Sequence, residues 1–261
     1  MRALYIASTG MAAQERNVEV ISNNIANMRT TGYKKQRAEF QDLLYQQLRR
    51  AGSQSSDAGT IVPVGVEIGS GVRTAATSRV TSQGSVVPTE KELDLAIRGE
   101  GYFVITLPDG RTAYTRDGSF ERSATGEIVT VDGYTVQPGI VIPEDARDIA
   151  INASGVVEAY IGTESTPTEL GQVQLATFVN TAGLASIGEN LFSETPASGA
   201  PQTGMPGTNG VGDLLQSYLE MSNVNAVTEI ADMISAQRAY EMNARVISGA
   251  DEMLRATANL T

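Results

Sequence analysis

Apolar side chains recur every seven residues at the start of the chain. Leu4, Met11, Val18 and Ile25 form one line, with Ala7, Gln14, Ile21 and Met28 between them. This a/d spacing predicts a helix over nearly four heptads. Gly10 weakens it by about 1 kcal/mol relative to alanine. The stripe ends near Asn27, and Gly32 reads as a left-handed terminator. Phe40, Leu43, Leu44 and Leu48 then predict a shorter, connecting helix. At the other end, Ala226, Ile230, Met233, Gln237, Tyr240, Ala244, Ile247, Asp251, Leu254 and Ala258 alternate steps of four and three. They predict a helix of about 33 residues, roughly 50 Å long, with Ser222 or Asn223 at its N-cap.

The middle of the chain changes period. Ile61, Val62, Val64, Val66 and Ile68 alternate as an extended strand or hairpin arm. Asp-Gly pairs at 109–110, 117–118 and 132–133 signal tight turns, and between them lie Tyr102–Ile105 and Ile128–Val131, with Val173–Val179 further on. The expectation is an α+β protein. A discontinuous helical coiled-coil unit (1–32 and 213–261) carries an inserted all-β domain (75–205). Residues 33–74 hold the connecting helix and the extended hairpin arm, and the Gly/Pro-rich stretch 206–212 is a linker.

Gln14, Gln237 and Asp251 stand in the helical seams and bury no apolar surface there. Two such helices are marginal against the entropy of ordering them. Either they dock as an ordinary antiparallel pair on the central domain, or the ends pack between many copies. The second reading makes Leu4, Met11, Val18, Ile21, Ile25, Ile230, Met233, Tyr240, Ile247 and Leu254 the subunit-packing residues.

Composition narrows the chemistry. The 261 residues include no His, Cys or Trp, so histidine bases, thiol nucleophiles and their metal sites are excluded. Carboxylate clusters at Glu90, Glu92, Asp94 and at Glu144, Asp145, Asp148 lie in turn-like stretches beside basic residues, as solvated loops do. No catalytic, cofactor-binding or metal-binding residue is expected. Net charge is −11, which speaks against nucleic acid as a partner. Residues 1–50 balance to +4 and residues 211–261 to −4, complementary for end-to-end packing. Met1–Gly10 lacks the pattern of a secretory signal, and no stretch has the length and apolarity of a membrane span.

NNIANMRTTGYKK (23–35) resembles the N-terminal signature of the bacterial flagellar rod and hook family. Its motif residues here are Asn23, Asn24, Asn27, Thr31, Gly32 and Tyr33. Residues 222–254 resemble the same family's C-terminal signature, with Gln237, Arg238 and Tyr240. LDLAIRGEGYFVI (93–105) and YTRDGSFERSATGEIVTVDGY (114–134) are similar to its central β domain. The stretch 46–73 looks like the one that separates the family's distal rod members from its hook members.

The resemblance implies a structural subunit of a helical polymer and no enzyme. That polymer is a hollow drive shaft that crosses the periplasm and carries torque from motor to hook. It also implies export through the flagellar type III apparatus without a cleaved signal peptide. Its partners would be further copies, other rod proteins, the hook protein and the surrounding periplasmic and outer-membrane rings. No cofactor and no membrane insertion are implied. The hairpin arm, with Ile61, Val64, Val66 and Ile68, would lock a neighbouring subunit. The competing readings are a proximal rod or hook subunit, or a secreted β-rich carbohydrate hydrolase working through Glu90 or Asp94.

Overall fold

The N-terminal heptads form helix α1, Arg2–Ala26, and the C-terminal ones form α2, Ala226–Ala258. A computed structural model describes residues 2–52, 63–162, 166–208 and 210–258. The chain divides into two compact units. The first is Met1–Ile25, Gln36–Ser78 and Asn225–Thr261; the second is Ala26–Lys35 and Arg79–Val224. The terminal helices with a β-rich middle make the protein α+β, as the sequence predicts.

In the first unit, α1 and α2 run antiparallel. Asn24 Nδ2 donates to Glu229 Oε2 at 3.0 Å. Fourteen residues earlier, at Gly10, an added Cβ would lie 3.0 Å from the Asn243 side chain, fourteen residues further along α2. Gly10 therefore repays its helical cost through the close approach it permits. The N-cap of α2 is Asn225, not Ser222 or Asn223. Its Oδ1 accepts from the amides of Val227 at 3.0 Å and Thr228 at 3.2 Å. The Asn223 side chain is committed elsewhere, to Lys35 N, Val80 O and Ser82 O.

The connecting helix expected from Phe40, Leu43, Leu44 and Leu48 is replaced by strands β1, Gln36–Asp42, and β2, Tyr45–Arg49. Strand β3, Val66–Gly69, pairs with β2, and β4, Val72–Arg79, pairs with β1. The helical stripe finds no apolar face to cover it, since Leu44 is 87% exposed and Leu48 57%. Cross-strand hydrogen bonds decide the conformation instead. Gly71, at φ +116°, brings the β3–β4 turn onto α1, where Thr9 Oγ1 accepts from Val72 N at 3.3 Å.

The second unit is built around the strand Tyr102–Thr106. Its alternation separates two cores. Phe103 and Ile105 join Leu95, Ile97, Phe120, Ile128 and Leu175 on one face. Tyr102 and Val104 join Tyr114, Phe178 and Phe192 on the other. The strand pairs with Thr112–Thr115 on one edge. Its other edge is shared by Thr135–Val136 and Leu175–Thr177. Gly110 and Gly133 adopt positive φ in tight turns, as their Asp-Gly pairs predict. Gly118 instead lies so near Leu95 O that a Cβ there would be 1.7 Å from it.

Within the expected linker 206–212, Gly207 N donates to Gly212 O, and just before it Gln202–Gly204, inside the expected β domain, pairs with Leu175–Thr177. Asp213–Gln216 and Tyr218–Glu220, read as part of the terminal helical unit, are strands paired with Leu95–Arg98 and Val86–Pro88.

Candidate assembly surfaces

Two of the motif asparagines, Asn24 and Asn27, are structural anchors. Asn24, 1% exposed, donates from Nδ2 to Gln36 O at 2.8 Å and accepts at Oδ1 from Gln36 N at 2.9 Å. With its bond to Glu229 it ties the end of α1, the start of β1 and the first turn of α2 together. Asn27 accepts from the Thr30 hydroxyl at 3.1 Å. Gly32 adopts φ +68°, and its amide donates to Glu220 O at 2.8 Å. A Cβ there would lie 2.7 Å from the Arg116 backbone. Gly32 thus serves the turn after α1, six residues past the end of the helix, and not as its cap. Asn23 is exposed; Thr31 and Tyr33 are half-buried.

A charged cluster that pattern reading does not find stands beside this turn. Glu220 Oε1 accepts from Lys34 Nζ at 2.6 Å and Gly84 N at 2.8 Å, and Oε2 accepts from Arg116 Nε at 2.6 Å. All three side chains are buried. Arg116 also donates to the carbonyls of Gly101, Gly99 and Ile97, and Lys34 to Ser82 O. Burial alone raises the Glu220 carboxyl, but Arg116 and Lys34 outweigh it and hold it below the usual carboxylate range. Burial holds the Lys34 ammonium below its usual value, with Glu220 opposing. The partners lie 104 and 186 residues from Glu220. The signal in the sequence is that Lys34 and Arg116 sit inside GYKK and YTRDG, two of the family-like stretches.

The subunit-packing set divides. Ile21 is buried; Leu4, Met11, Val18, Ile25, Met233 and Ile247 are half-buried. Ile230, Tyr240 and Leu254 are 50%, 44% and 37% exposed. On α2, Glu229 and Asn243 meet α1, and the buried Ala236 and Ala250 continue the same seven-residue line. This line is displaced by one residue from the expected positions Ile230, Gln237, Ala244 and Asp251. Gln237 and Arg238 are exposed. On α2 the seam is thus made by small or polar side chains, and the larger apolar ones at Ile230, Tyr240 and Leu254 are left outside it. Val227, Ile230 and Ile234 form one exposed stripe; Met242, Val246 and Met253 form another. At 100° per residue these stripes lie on different faces of α2.

On β3, Val66 is exposed and Ile68 half-buried, and Val64, two residues before the strand, is exposed. Ile61 lies outside the described residues. Glu144 and Asp145 are exposed turn carboxylates, Asp148 is exposed on the strand Ala146–Ile151, and Asp94 is buried beside the strand edge at Ser119. Among the described residues no acidic group has the makings of a metal site, and no helix is long and apolar enough to cross a membrane.

Comparison with known proteins gives one consistent family. Residues 4–34 match the model of flagella basal body rod proteins. Residues 96–159 match the D1 domain of the flagellar hook protein FlgE/F/G, and residues 215–260 the C-terminal region of the flagellar basal body rod FlgEFG proteins. The chain is 58% identical to the flagellar basal-body rod protein FlgG of Caulobacter vibrioides, over 100% of this chain and 99% of that one. It is 55% identical to FlgG of Agrobacterium fabrum, over 97% of each. It is 39% identical to FlgG of Bacillus subtilis, over 100% and 99%.

Proposed function

The chain belongs to the flagellar basal-body rod family, and we propose that it works there as the distal rod subunit, a structural protein polymerised into a hollow helical drive shaft. The relatives, alike over their whole length, are rod proteins and not enzymes. This favours the rod reading over a carbohydrate hydrolase, and their shared name favours the distal rod over a proximal rod or hook subunit. Its place is the flagellar basal body, and its assembly is with other rod and hook components.

The observation that carries the mechanism is the placement of large apolar side chains outside the helix pair. A head-to-tail contact whose rotation does not close builds a helical filament. Small or polar residues of α2 face α1, so Ile230, Tyr240 and Leu254 remain for other subunits. The helices form the tube wall, copies stack into a rod across the periplasm, and the rod turns within the surrounding rings. Export uses the flagellar type III apparatus without cleavage of a signal peptide. The decisive experiment deletes the cell's own distal rod gene and supplies this chain. Electron microscopy of isolated basal bodies should then show restored distal rods. Basal bodies that still stop at the proximal rod would refute the reading.

The β2–β3 pair supplies the stiffness. A two-stranded ribbon is marginal alone, and every residue of β2 is exposed, so it gains most by lying on a neighbour. Removing residues 46–68 is expected to leave subunits that assemble but form a bendable rod, seen as curved rods in micrographs. Straight rods from that deletion would show that the locking lies elsewhere.

A further inference from the structure

Two glycines interrupt the terminal helices, and the chain itself explains only one. At Gly10 the space of a side chain is taken by Asn243. At Gly249, deep inside α2, a Cβ would meet none of the described residues within 4 Å. Glycine is the worst helix former after proline, so within the single chain Gly249 is a cost with no return. It lies in a line at helical spacing with Met242, Val246 and Met253, which are 60%, 51% and 61% exposed. A glycine set among exposed apolar side chains is the arrangement that admits a second backbone at close range.

We propose that this line of α2 is the seat for α1 of a second copy, with Gly249 at the point of closest approach. This rests on the rod reading above. The occupant follows from charge and size. Residues 3–14 of α1 carry no charged side chain on any face, although only one face is turned to α2. Tyr5, Ser8 and Ala12 form an exposed line at steps of three and four, and Ser8 and Ala12 are small enough to sit on a glycine. Copies carrying −11 each repel, so they meet at least cost where neither surface is charged. Residues 242–250 and 3–11 also lie side by side within each chain, given the contacts of Gly10 with Asn243 and of Asn24 with Glu229. The donor line and the acceptor line are two different patches of one chain, as a repeating head-to-tail contact requires.

The test uses the whole chain in cells lacking their own distal rod subunit. The unaltered chain restoring swimming fixes the function reading; its failure sinks that reading and this inference with it. Given restoration, Gly249→Leu is expected to abolish swimming and distal rods. The purified variant should keep or raise the helical signal of the free chain, because none of the described residues comes within 4 Å of the added Cβ. Swimming at the unaltered rate with Gly249→Leu would overturn the proposal and leave the function reading intact. The occupant is checked independently, since the chain has no cysteine. Ser8→Cys combined with Val246→Cys should give a ladder of disulfide-linked multimers in isolated rods, and neither change alone should. Rods from the double variant that oxidise without a ladder would overturn the assignment of α1 as the occupant.

Discussion

Replacing Glu220 by glutamine is expected to cost the β-rich unit about 3–5 kcal/mol, since it strips a buried pair of cations of the carboxylate that faces them. Lys34 and Arg116 remain buried with their charges, and neither hydrogen-bonded carbonyls nor an amide replaces the lost anion. The loss reaches beyond the cluster. The Glu220 backbone accepts from Gly32 and its side chain from Gly84 N, so the turn after α1 loosens with it. Urea unfolding followed by far-UV circular dichroism and tyrosine fluorescence should show a lower midpoint for the transition of that unit. Glu121→Gln breaks an exposed pair with Lys91 and should leave the midpoint unchanged. Equal effects of the two substitutions would refute the role given to the cluster.

The same cluster sets a pH dependence. Because the folded Glu220 carboxyl is held down, its contribution is fully present above the ordinary glutamate value of about 4.3. It is lost as pH falls through the lower folded value. Lys34 acts in the alkaline range. Its folded value is depressed, so stability from that group rises between it and about 10.4. Glu220→Gln should therefore flatten the acid limb of the stability curve. An unaltered acid limb would assign it to other carboxylates.

The terminal helices and the β-rich middle were legible in the sequence because each rests on a local period. Seven-residue lines run through 4–28 and 226–258, and Asp-Gly turns separate strands. What local pattern could not supply was partnership. Leu43, Leu44 and Leu48 have helical spacing but no face to lie on, and pairing with β3 and β4 overrides it. On α2 the large side chains drew the expected seam to Ile230 and Ala244. The actual seam runs one residue earlier through Glu229, Ala236, Asn243 and Ala250, where small or polar residues allow α1 to approach. The Lys34–Glu220–Arg116 cluster was invisible for the same reason, since three charges scattered over 186 residues have no period. The family-like stretches nonetheless contained Lys34, Arg116 and Asn24.

That displaced seam makes Ile230→Asp the sharpest test of assembly. Ile230 is 50% exposed, and its neighbours Val227 and Ile234 are 79% and 46% exposed. An aspartate there removes little from the free chain. The helical signal of the monomer and the unfolding of the β-rich unit should both be unchanged. In the rod the same position loses the burial of an isoleucine, about 1.5–3 kcal/mol per contact, and gains a carboxylate that must be stripped of water. At 1.4 kcal/mol per tenfold, burial alone weakens each subunit contact by about 10- to 150-fold. The loss recurs at every subunit, so distal rods and swimming should disappear. Ile247→Asp should differ. Ile247 is half-buried between Asn243 and Ala250, beside the line that meets α1, so the change should lower the helical signal of the free chain as well as block assembly. Straight rods of normal length in the Ile230→Asp strain would mean that this face of α2 stays in water after assembly, and that the subunits are held through other surfaces.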